Sequence, residues 1–128
     1  MSEPVTVFEA VGGEPFFRAL VDRFYVAVED DELLRPMYPS DLEGARARLF
    51  LFLVQYWGGP TTYSEQRGHP RLRMRHAPYR VDSAARDAWL RAMTNALDAD
   101  PPPPDVREMM VDYFVRSADF MRNTPDAP

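Results

Sequence analysis

The chain has 128 residues, 45% hydrophobic and 12% aromatic, the commonest size for one domain with one real core that could also enclose a flat apolar ligand. A formal net charge of -5 argues against nonspecific binding to nucleic acid, or to an anionic membrane, through the overall field. The absence of cysteine removes disulfides, thiolate metal sites, iron–sulfur clusters and cysteine nucleophiles together, and suits a reducing cytoplasm.

From Met1 to Glu9 there are acidic residues and no apolar run of signal-peptide length, and no stretch approaches the roughly 18 apolar residues of a membrane span. The chain reads as one cytoplasmic domain, 1–128, with loose tails at 1–4 and 122–128. A short helical turn is expected over about 5–11. Phe17, Leu20, Val21, Phe24, Tyr25 and Val28 then recur at helical spacing, which predicts a helix over 14–29 with Pro15 in its first turn. Asp31 to Tyr38 combines a candidate N-cap, two leucines and Pro36, the pattern of a single turn ending in a corner.

Over 41–57 the positions Leu42, Ala45, Leu49, Phe52, Leu53 and Tyr56 repeat the helical period. Leu49 to Val54 alone could be a buried strand, but the length and the Gly58-Gly59-Pro60 stop favour helix. Residues 61–81 have no clear period and read as an ordered loop with one short helix ending near His76, before the Ala77-Pro78 stop. Ala85, Ala88, Trp89, Ala92, Met93, Ala96 and Leu97 mark a helix over 83–98. Four prolines, 101–104, end it as a stiff extended connection. In the last helix Val106, Met109, Met110, Tyr113, Phe114, Ser117 and Met121 mark the inner face.

Only two imidazoles are available. Pro70 pushes His69 toward extended geometry, so a joint metal site with His76 is disfavoured. His76 falls in the last turn of a short helix, with Leu72 and Met74 as an apolar wall; it suits an axial haem ligand, and equally a charge that favours a helix C-terminus. Arg67, Arg71, Arg73, Arg75 and Arg80 crowd around it. They are either solvated or placed to bind carboxylates such as haem propionates, and Arg48 could do so from the other side. Tyr25, Tyr38 and Trp89 are large rings with one polar hydrogen each, which fit either core packing or donation to a ligand.

Taken together, the segments VGGEPFFRALVDRFY, LLRPMYP, ARLFLFLVQYWGGP, RGHPRLRMRHAPY and DAWLRAM resemble the truncated haemoglobins, group II, over residues 8–97. The pairs Gly12-Gly13 and Gly58-Gly59 look like that family's glycine motifs. The resemblance implies an all-α two-over-two helical sandwich around haem b. It puts His76 at the proximal iron ligand and Tyr25, Tyr38 and Trp89 at the distal polar cluster. Ala45 takes the position of a gating side chain and Leu49 that of an apolar wall, while Arg48 and Tyr63 match positions that meet propionates, with Arg75 another candidate. Phe52, Leu72 and Met93 are further expected cofactor contacts. From the four prolines onward the likeness rests on helical period alone, and no site residue is assigned there.

The implied ligands are O2, NO, CO or peroxide, and three distal donors imply slow O2 release. Oxidation of NO or peroxidase chemistry would need a separate reductase, since the chain has no flavin or nicotinamide motif. A gas sensor without turnover and a haem-free helical interaction module are the competing classes. The oligomeric state is left open.

Overall fold

The computed structural model describes residues 6–77 and 79–126; the expected N-terminal tail, the Pro78 stop and the Arg73 side chain lie outside the described residues. Among them every regular element is helical. Thr6 caps the short helix α1 (Val7–Ala10), its hydroxyl accepting from Glu9 N at 3.1 Å. Helix α2 (Glu14–Asp30) has Pro15 in its first turn and buries the six residues whose spacing announced it. Asp31 then accepts from the amides of Leu33 and Leu34, both at 2.9 Å, and starts the turn that leads to a 3-10 turn at Arg35–Met37.

Helix α3 (Glu43–Tyr56) replaces the strand alternative for Leu49 to Val54. Two short helices follow, α4 (Thr62–Arg67) and α5 (Leu72–His76), where the sequence suggested one. The missing signal is physical: of TYSEQR only Tyr63 is buried, so α4 has no apolar stripe to read. Asp82 caps α6 (Ser83–Asp98), accepting from Ala85 N at 2.9 Å. Helix α7 (Pro104–Phe120) begins on the fourth proline, where a missing N–H costs nothing. Met109, expected inside, is 53% exposed, because it shares its helix face with Asp112 and Arg116 rather than with Met110 and Phe114.

Helix α2 packs on both α3 and α6, and α6 packs on α7. Ala88, Ala92 and Ala96 of α6 are buried and let α2 approach closely, and Arg23 Nε donates to Ala96 O at 2.7 Å across that contact. At the far end of α3, Phe8 N donates to Trp57 O at 2.9 Å, and the Phe8 ring lies against both Gly13 and Gly59. Gly58 is the position no other residue can fill. Its φ is +105° and a Cβ there would lie 2.6 Å from Thr6 Cβ. Gly58→Ala should therefore cost about 2 to 4 kcal/mol from backbone strain plus overpacking, read from urea unfolding. An unchanged midpoint would show that the end of α3 is not held against Thr6.

Beyond α7 the chain is tied back across the 76–83 segment. Asn123 N donates to Val81 O at 2.9 Å and its Oδ1 accepts from Val81 N at 2.9 Å. Its Nδ2 donates to His76 O at 3.1 Å and Tyr79 O at 3.0 Å. Asp126 accepts from the amide and the hydroxyl of Ser83, both at 2.9 Å.

Candidate functional site

A cavity of about 390 Å³ opens between α3, α5, α6 and α7, within the size range of small-molecule sites. Tyr25, Tyr38, Ala45, Arg48, Leu49, Phe52, Tyr63, Leu72, Arg75, His76 and Trp89 line it, whereas Met74, expected as part of the apolar wall, is exposed, and Arg71 and Arg80 lie off the wall. Met93 does not line it either. It sits one turn beyond Trp89, where α2 closes on the alanines of α6, and is wholly buried in the core between helices rather than at the cavity wall.

His76 is held by its own helix. Its Nδ1 lies 2.6 Å from Leu72 O, and because a carbonyl only accepts, that contact places the proton on Nδ1. Nε2 then keeps its lone pair for a metal, the arrangement by which a ligating histidine is oriented and made more basic. His69, by contrast, is exposed, does not line the cavity, and accepts from Arg71 N at 3.1 Å through its Nδ1.

Tyr25, Tyr38 and Trp89 come from three parts of the chain; the two phenols meet through their rings, and Trp89 packs edge-on against Phe24 and Phe114. Tyr25 projects from α2 and crosses Tyr38 edge-on, with centroids 5.7 Å apart. Trp89 N–H, which can only donate, is near enough to the Tyr38 hydroxyl to favour its ionised form. The corner carrying Tyr38 is clamped by Arg35, whose guanidinium donates to the carbonyls of Tyr38 (3.4 Å), Pro39 (3.0 Å) and Ser40 (2.9 Å). Sequence reasoning passed over Arg35, since a solvated arginine and a loop clamp look alike in one dimension.

Burial keeps both phenols neutral. It raises Tyr38 from 10.0 to about 12 against the opposing Trp89 N–H. It also pushes Tyr25 well above the ordinary phenol range, helped by Tyr38 and opposed by Arg48 and Arg46. A proton held more tightly in the folded than in the unfolded chain stabilises fully below the unfolded value of 10.0. That contribution is lost as pH rises from there through about 12. The stability of the wild type, measured by urea unfolding between pH 9 and 12, should thus fall more steeply than that of a Tyr25→Phe, Tyr38→Phe double variant. Equal slopes would count against buried phenols at these positions.

The wall is otherwise apolar, and its charges are all positive. Arg48, Arg67, Arg75 and Arg86 line it and no carboxylate does. Arg86 is neutralised by Asp87 and Asp119, whereas Arg48, Arg67 and Arg75 have no carboxylate ion pair among the described residues. Arg67, one of the five arginines expected near His76, reaches the wall from α4, a helix the sequence did not reveal. Helix α7 adds Tyr113, Phe114, Ser117 and Ala118, with Met121 just beyond it, where the sequence assigned nothing. An imidazole with a free lone pair, an apolar wall and three unneutralised guanidiniums fit a flat macrocycle that carries a metal and two carboxylates.

Among the described residues no helix is long and apolar enough to cross a membrane. Residues 6–123 match the bacterial-like globin family. The chain is 39% identical over 120 residues to the group 2 truncated haemoglobin YjbI of Bacillus subtilis (strain 168), covering 94% of this chain and 90% of that one. It superposes on the group II truncated haemoglobin of Bacillus anthracis with a TM-score of 0.95 at 39% identity, covering 98% of this chain and 97% of that one. On the thermostable haemoglobin of the actinobacterium Thermobifida fusca the TM-score is 0.92 at 52% identity, covering 95% and 100%. The chain therefore belongs to the bacterial-like globins as a group II truncated haemoglobin, a membership that implies a haem cofactor and a small gas ligand such as O2.

Proposed function

We propose that the protein is a cytoplasmic haem b globin that holds its iron through His76 Nε2, binds O2, NO and CO, and releases O2 slowly. The observation that carries this reading is the Nδ1–H to Leu72 O bond at 2.6 Å, which leaves one imidazole nitrogen unprotonated on the wall of an apolar cavity. When bound, the haem would supply an iron with one coordination position open to a diatomic ligand. Arg48, Arg67 and Arg75 are suited to pair with its propionates, while Leu49, Phe52 and Leu72 give apolar surface for the ring.

Tyr25, Tyr38 and Trp89 supply O–H and N–H donors in a largely apolar cavity, where a hydrogen bond is electrostatically stronger than in water. Ala45 donates nothing, so ligand retention rests on those three. The same phenols and indole can give up protons and electrons, which supports a second reading as an NO-oxidising or peroxidase-like enzyme served by a separate reductase.

Expression with haem available, an absorption spectrum, and stopped-flow O2 and NO kinetics on the reduced protein test both readings. A Soret band with slow O2 dissociation supports the first, and steady nitrate formation from NO supports the second. No Soret band, or fast O2 release, overturns the proposal.

A further inference from the structure

Tyr56, at the end of α3, is 48% exposed, and its ring stacks on Tyr113 of α7 with centroids 4.0 Å apart and planes inclined by 29°. Tyr113 itself lines the cavity. Two phenols in contact thus run from the cavity wall to solvent. Trp57 meets both edge-on, at 4.9 Å and 5.5 Å. A deeper route from Trp89 passes through Phe114, whose ring is far harder to oxidise than a phenol or an indole, so the open path is Tyr113 to Tyr56.

Proton chemistry decides which ring would keep an oxidising equivalent. A phenol loses an electron readily only if its proton leaves with it. Trp57 Nε1–H is buried with no hydrogen-bond partner, so an oxidised Trp57 has no proton acceptor and passes the hole on. Tyr113 sits in a half-buried site, where burial makes its proton harder to lose. Tyr56, half in solvent, can release its proton to water.

We propose that Tyr56 is a surface oxidation site, fed through Tyr113 from hydrogen peroxide consumed in the cavity, at which phenol-class reductants too large for the filled cavity are oxidised. This rests on the haem reading above. In balance, the O–O bond of hydrogen peroxide breaks and two waters form by uptake of two electrons and two protons. Two phenolic reductants each return one electron and one proton at Tyr56 and leave as phenoxyl radicals, so protein and cofactor end unchanged.

The test is to treat the haem-loaded protein, checked by its Soret band, with hydrogen peroxide and a nitroso spin trap, and then to map the adduct by peptide mass spectrometry. An adduct on Tyr56 that is lost in Tyr56→Phe and reduced at least about tenfold in Tyr113→Phe is the expected result. A Tyr56 adduct undiminished in Tyr113→Phe overturns the relay, as does trapping at Tyr25 or Tyr38 with none at Tyr56. A sample that never shows a Soret band overturns the haem reading and this proposal with it.

Discussion

Replacing His76 by glycine is expected to lower haem affinity at least about a hundredfold, so that most of the purified protein lacks a Soret band. Loss of an outer-sphere partner alone costs about ten- to a hundredfold in metal affinity, and here the ligand itself is removed. No thiolate can substitute, because the chain has no cysteine. The other histidine is exposed and away from the cavity wall. His69→Ala should therefore bind haem as the wild type does. Free imidazole added to the His76→Gly variant should restore much of the band, because the space left by the side chain accepts the same ring. Haem retention that tracks His69 rather than His76 would refute the assignment.

The second large effect is expected at Trp89. A hydrogen bond to a strongly polarised acceptor contributes about 1.5 to 3 kcal/mol. At about 1.4 kcal/mol per factor of ten, Trp89→Phe should speed O2 release by about ten- to a hundredfold. The geometry adds a reason for the upper end. Trp89 N–H acts on the Tyr38 hydroxyl, so the substitution also removes a polar neighbour of Tyr38. Tyr38→Phe should then reproduce much of the effect, and the double variant should fall short of the product of the two, as expected for residues in one network. CO release, which depends less on donors, provides the control. An unchanged O2 rate in Trp89→Phe would remove the indole from the ligand-holding set.

Helices α2 and α6 were legible almost to the residue, because each is long, amphipathic and bounded by strong local signals such as Pro15 and the four prolines. The cavity residues on them and on α3 were expected from the resemblance to the truncated haemoglobins, which rests on the glycine pairs, His76 and the segments around them. What escaped lies in short or marginal elements. Helix α4 buries one residue, so it could not be read, and Arg67 stood out only as one of five arginines near His76. Met93 shows a different limit. Helical spacing says that a residue faces inward, but not whether it meets a cavity or another helix, and between Ala92 and Ala96 the small side chains let α2 close the gap. The contribution of α7 was hidden for the same reason, since Tyr113 and Ser117 carry no signature apart from period.

The Asn123 clasp bears on how the protein is made. A chain grows from its N-terminus, and Asn123 secures the carbonyls of His76 and Tyr79 from 47 and 44 residues downstream. Tyr25, Tyr38 and the wall from α3 are all synthesised before the cavity has its α7 side or the His76 segment its anchor. Until α7 and Asn123 are made, the nascent chain has neither the last wall of the cavity nor the clasp on the 76–79 segment, so the cavity closes late in synthesis.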